Sequence, residues 1–156
     1  MIPPEYDEAE LPARLRQLVA TEIDRIIEDL TLRRELLLEA WGRHRERGPF
    51  LDTMFSRWTT IGMTDLALID GEALSSCEAF YRELDDFRMY CRFTQDMPGT
   101  MAERYDLAVR TIDAYGRLAI ERLGGVPDRP FVVIDEAFVE VDAPMFEVFG
   151  EPAEEE

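Results

Sequence analysis

The chain has 156 residues, 46% of them hydrophobic, and a formal net charge of −17 from 34 acidic and 17 basic residues. That length suits one domain, or one domain with a tail, and it can bury a core without help from a disulfide or a metal. No apolar run approaches the roughly 20 residues of a membrane span, and the acidic start MIPPEYDEAE lacks the basic and apolar regions of a secretory signal, so a cytoplasmic protein is expected.

Pro3 and Pro4 keep the first residues extended. A helix should begin between Glu8 and Pro12, since proline is well tolerated in a first turn. Leu11, Leu15, Leu18, Ile23, Ile26, Ile27 and Leu30 mark an apolar stripe, continued by Leu32, Leu36, Leu37, Ala40 and Trp41. The spacing predicts one long, bent helix from Leu11 to Arg47. The alternative is a break at Asp29 to Thr31, with Thr31 capping a second helix. Gly48-Pro49 is the expected stop. The stripe widens at Leu36, Leu37, Leu38 and Trp41, which makes a symmetric homodimer through this helix plausible.

Phe50, Leu51, Met54, Phe55, Trp58 and Ile61 fit a short helix starting near Asp52. Thr59-Thr60-Ile61-Gly62 weakens it through β-branching and a glycine. Residues 50–72 therefore read as an apolar connector packed over a bundle.

Ser75 to Phe93 is the clearest local signal. Ser75 and Glu78 have the spacing of a capping box. Cys77, Phe80, Tyr81, Leu84, Phe87, Tyr90 and Cys91 fall on one helical face. Glu78, Arg82 and Asp86 form a ladder of opposite charges on the other. Asp96-Met97-Pro98-Gly99 is a turn signal. Thr100 and Glu103 form a second capping box, and the stripe Met101, Tyr105, Ala108, Val109, Ile112, Tyr115, Ala119 and Leu123 follows. Asp106 with Arg110 and Asp113 with Arg117 are favourable pairs four apart. Gly116 and Ala119 are small enough to let a neighbouring helix come close, and Gly124-Gly125 ends the helix. Two helices joined by so short a turn read as an antiparallel hairpin. Beyond Pro130 the pattern changes to β-branched residues, then to apolar residues alternating with acids. The expected fold is mainly α, a bundle of three to four principal helices over residues 1–129. A small C-terminal β-hairpin or β-arm over 130–150 and an acidic tail over 151–156 complete it.

Charge is unevenly spread. Residues 1–10 carry four acids and no base, residues 130–156 carry nine acids and no base, and residues 11–129 carry 21 acids against 17 arginines. The body is nearly balanced and the ends are acidic. Such a field disfavours nucleic acid and anionic membranes and favours a basic protein partner. There is no lysine and no asparagine. Both use A-rich codons, so a GC-rich bacterial genome accounts for an all-arginine base set.

Catalytic motifs are scarce. His44 is the sole histidine, which nearly closes off triads and histidine-rich zinc sites. There is no P-loop, no G-x-G-x-x-G and no G-x-S-x-G, so no cofactor is implied. Cys77 and Cys91 are 14 residues apart, about 21 Å along one helix, too far for a disulfide, and read as buried thiols in a reducing compartment. Arg43, His44, Arg45 and Arg47 make a basic helix end that suits the helix dipole. A secondary reading is a patch for an anion or acidic partner. Glu35 with Glu39 and Glu83 with Asp86 have spacings a carboxylate metal site would use, though they equally suit a solvated face.

The function expected from this pattern is a non-catalytic acidic interaction module, an adaptor or an immunity-type protein that neutralises a basic toxin. Phe138, Glu140, Asp142, Phe146, Glu147 and Phe149 in the C-terminal arm are the expected partner-binding residues, since such a strand can add to a partner's sheet edge. The alternatives are a helical-bundle enzyme or metal binder using the four carboxylates named above and, more weakly, a nucleic-acid mimic.

Overall fold

A computed structural model describes residues 8–127. The chain divides after Val126 into two units, and the structure below is that of the first. The expected C-terminal β element and the six partner-binding residues expected in it lie outside the described residues.

Three long helices make the body: α1 (Leu11–Leu32), α5 (Gly71–Phe93) and α6 (Pro98–Leu123). Between them run the short helices α2 (Arg34–Glu39), α3 (Gly48–Thr53) and α4 (Met63–Leu66). Helix α6 packs against both α5 and α1, and α5 and α6 form the expected antiparallel hairpin. The described residues are mainly helical, and no helix among them is long and apolar enough to cross a membrane.

Helix α1 starts with Pro12 in its first turn. It meets α2 at Arg33 (φ −93°, ψ 8°), yet the hydrogen bonds Arg33 N to Asp29 O and Leu37 N to Arg33 O continue through the bend. Thr31 does not cap a second helix. Its hydroxyl donates back to the Ile27 carbonyl at 2.9 Å, a local bond that helps a helix to bend. After α2 the chain winds into a π-helical turn, Ala40–His44, and Arg45 ends it in the left-handed conformation (φ 53°). Helix formation thus stops before Gly48-Pro49. That dipeptide opens α3, with proline in the first turn where its missing N–H costs nothing.

The long helix pattern of the first 40 residues resolves into two faces. Val19, Ala20, Ile23, Ile26, Ile27 and Leu30 are buried. Leu11 and Leu18 are exposed and Leu15 is half-buried. Ile23 comes five positions after Leu18, which at about 100° each is well off the same side of a helix. Leu37 and Trp41 belong to the chain's own core, so of the proposed dimer stripe Leu36 is the residue left exposed.

Helix α5 begins at Gly71, four residues before the predicted capping box. Asp70 is the N-cap, its carboxylate accepting from Ala73 N at 3.3 Å. The earlier start buries Ala73 and Ser76 as an added turn of the core face. Of the predicted stripe, Cys77, Phe80, Tyr81, Leu84, Phe87 and Cys91 are buried, and Tyr90 is half-buried. Helix α6 likewise starts early, at Pro98, with no side-chain cap, so Thr100 and Glu103 do not form the expected box. Its stripe is buried at Met101, Tyr105, Ile112, Ala119 and Leu123, while Tyr115 is exposed and Gly116 takes the inward position. Gly124 (φ 100°) and Gly125 (φ 88°) end α6 in the left-handed region that suits glycine.

At Gly116 helix α6 packs directly against side chains of both α1 and α5. A β-carbon there would lie 2.4 Å from Ile27 Cδ1 and 3.1 Å from both Ile23 Cγ2 and Phe80 Cδ2. Aromatic rings pack among the aliphatic side chains of the core. Tyr105 meets Phe87 and Phe50 edge-on at 5.7 and 6.0 Å, and its buried hydroxyl donates to the Leu30 carbonyl. Each fully buried large apolar side chain contributes about 1.5–3 kcal/mol.

Candidate interaction surfaces

The connector between α3 and α4 lies over one side of α1, and Glu22 holds it there. The Glu22 carboxylate accepts hydrogen bonds from Ser56 Oγ at 2.9 Å, Arg57 N at 3.1 Å and the Tyr81 hydroxyl at 2.7 Å. Ser56 Oγ in turn accepts from Trp58 N at 2.9 Å, and the Trp58 ring stacks on Tyr81 at 4.5 Å. Burial and the Glu22 carboxylate both push the Tyr81 phenol well above its ordinary pKa, so it stays a donor. A little further along, Arg25 donates to the Phe55 carbonyl at 3.1 Å and to Asp29 at 3.3 Å.

This arrangement leaves a half-open groove of about 480 Å³ between α1 and the connector. Its walls are Leu15, Leu18, Val19, Phe55 and Ile61. Leu18 is 69% exposed and Phe55 56% exposed, so two large apolar side chains stand at its lip. Asp52 and Arg57 also line it, and neither side chain forms an ion pair among the described residues.

The basic helix end predicted as an anion or partner patch is divided between tasks. Arg47 donates to the carbonyls of Cys91 (2.9 Å), Arg92 (2.8 Å) and Thr94 (2.6 Å), closing the C-terminus of α5. Its guanidinium also lies 4.7 Å from the centre of the Trp41 ring, with that of Arg45 at 5.6 Å. Such stacking is worth about 0.5–2 kcal/mol. Arg43 pairs with Glu39 at 3.1 Å, and His44 is exposed. Arg43, His44 and Arg45 thus face solvent while Arg47 is committed to backbone oxygens.

Across the body, Arg14, Arg16, Arg25, Arg33, Arg34, Arg43 and Arg117 pair with carboxylates. The best formed pair is not the one spacing suggested. Asp106 takes both Nε and an Nη of Arg34, at 2.7 and 2.9 Å, in place of Arg110. The Arg34 hydrogen bond holds the Asp106 carboxyl below its ordinary range. Asp113 does pair with Arg117, at 3.2 Å. The ladder of Glu78, Arg82 and Asp86 closes no ion pair among the described residues. Glu35 contacts Arg34 and Glu39 contacts Arg43. No group of three or more histidine, cysteine, aspartate or glutamate side chains among the described residues is placed to hold a metal ion.

No family model matches the chain, and comparison with the curated proteins and with the solved structures gave no match.

Proposed function

We propose that this protein is a non-catalytic acidic interaction module of the cytoplasm, an adaptor or an immunity-type protein that binds a partner with a basic surface. The observation that supports this reading is the internal neutralisation of the helical body. Seven arginines pair with carboxylates, and Arg47 is spent on carbonyls and a tryptophan ring. Most of the excess negative charge is left to the two ends of the chain, four acids in residues 1–10 and nine in residues 130–156. In the latter the acids alternate with Phe138, Phe146 and Phe149, so a β-forming arm over residues 130–150 would offer charge for steering and rings for anchoring.

The test uses the full-length chain. Partners captured from native lysate are identified, and the affinity of the purified pair is measured against salt. Reversing Glu140, Asp142 and Glu147 together should weaken binding and flatten its salt dependence. Unchanged affinity at low salt would sink the proposal.

A further inference from the structure

The groove beside α1 poses a question of its own, because the two large apolar side chains at its lip, Leu18 and Phe55, stand exposed among the described residues. Leu11, Leu15 and Leu18 are spaced four and three apart, the alternation of a coiled-coil seam. At about 100° per residue, Leu11 and Leu18 lie well round α1 from Ile23 and Ile27, which enter the core, and Leu15 stands at the edge between the two faces. Phe55 extends the same apolar surface from the connector. We infer that a second copy of this chain covers this face, α1 against α1 about a two-fold axis.

The charges select that occupant. The self-repulsion of a chain of net charge −17 comes chiefly from its two acidic ends, so two copies meet with least repulsion through the nearly balanced body. The groove is balanced too: it is lined by two acids, Glu22 and Asp52, and two bases, Arg25 and Arg57, which sum to zero. A two-fold interface brings a patch against itself, so it must be complementary to itself. Glu22 and Arg25 are already bonded within the chain. Asp52 and Arg57 carry opposite charges and form no ion pair among the described residues. In the dimer Asp52 of each copy faces Arg57 of the other. A basic partner, by contrast, would meet two arginines at this site, and an acidic one two carboxylates. This inference is independent of the reading of the C-terminal arm: a dimer would carry two arms, and the arms act with or without it.

Sedimentation of the full chain across the micromolar range tests the arrangement, with circular dichroism to confirm folding of every variant. The native chain should reach twice its mass of 18.1 kDa. Leu18→Glu should abolish the dimer. Asp52→Arg and Arg57→Asp should each weaken self-association by about tenfold or more, since like charges then face one another. Mixing those two variants should restore it as a heterodimer, because each supplies the charge the other lacks. A native chain that stays monomeric throughout the range overturns the inference. So does a dimer that survives Leu18→Glu, or two charge variants that fail to complement, either of which would put a different molecule in the groove.

Discussion

Replacing Gly116 by alanine adds a single methyl group at the point where α6 meets both α1 and α5. Two effects oppose each other. Glycine in a helix interior is less favourable than alanine by about 1 kcal/mol, so in open space the change would stabilise. Here the new Cβ would sit 2.4 Å from Ile27 Cδ1, more than 1 Å inside the roughly 3.5–4.0 Å of an ordinary carbon contact. The Ile27 methyl is the end of a side chain and can turn away. Ile23 and Phe80, each 3.1 Å from the same point and 0% exposed, leave it little room. Overpacking of this kind costs about 2–3 kcal/mol, for a net loss of about 1–2 kcal/mol and a melting temperature lower by about 3–8 °C. Gly42→Ala is the control. Its Cβ would meet Pro98 Cβ and Cγ at 3.6 and 3.8 Å, ordinary contact distances, so the propensity effect alone should operate and stabilise by about 0.5–1 kcal/mol. Denaturant and thermal melts followed by far-ultraviolet circular dichroism read both. A Gly116→Ala protein as stable as the native chain, or more so, would refute the close-packed crossing.

Two further outcomes rest on ionisation. The Asp106 carboxyl titrates below its ordinary value of 3.8 because it accepts from Arg34. A group depressed by folding contributes stability above its unfolded pKa and loses it as pH falls through the folded one. Native protein should therefore exceed Asp106→Asn in stability at neutral pH by a margin that shrinks below about pH 4, and a margin that is constant down to acid unfolding would count against the pair. Burial pushes the thiols of Cys77 and Cys91 up to about 12, so neither should react with a disulfide reagent at mildly alkaline pH until denaturant is added. Rapid labelling of the native chain would show that the core opens there.

What the sequence determined by itself was the local, periodic part of this protein. The apolar faces of α5 and α6 were legible because a 3.6-residue repeat, covered by partner helices, leaves little choice of which side chains are buried. The double-glycine stop at Gly124-Gly125 and the hairpin at Asp96–Gly99 were legible for the same reason, since turn chemistry acts within a few residues. Helix starts were less so. Ser75 and Thr100 have the spacing of caps, but Asp70 and Pro98 begin their helices earlier, where another turn can be added. Only the tertiary structure decided which face of α1 is core. Leu18 and Ile23 look alike in a list of apolar positions, and burial by α5 and α6 separates them. Nor could spacing reveal that Glu22 gathers Ser56, Arg57 and Tyr81, residues 34, 35 and 59 positions away. Nothing local distinguishes that carboxylate from the other acids of the chain. Its role exists because the connector folds back over α1, and the groove exists for the same reason.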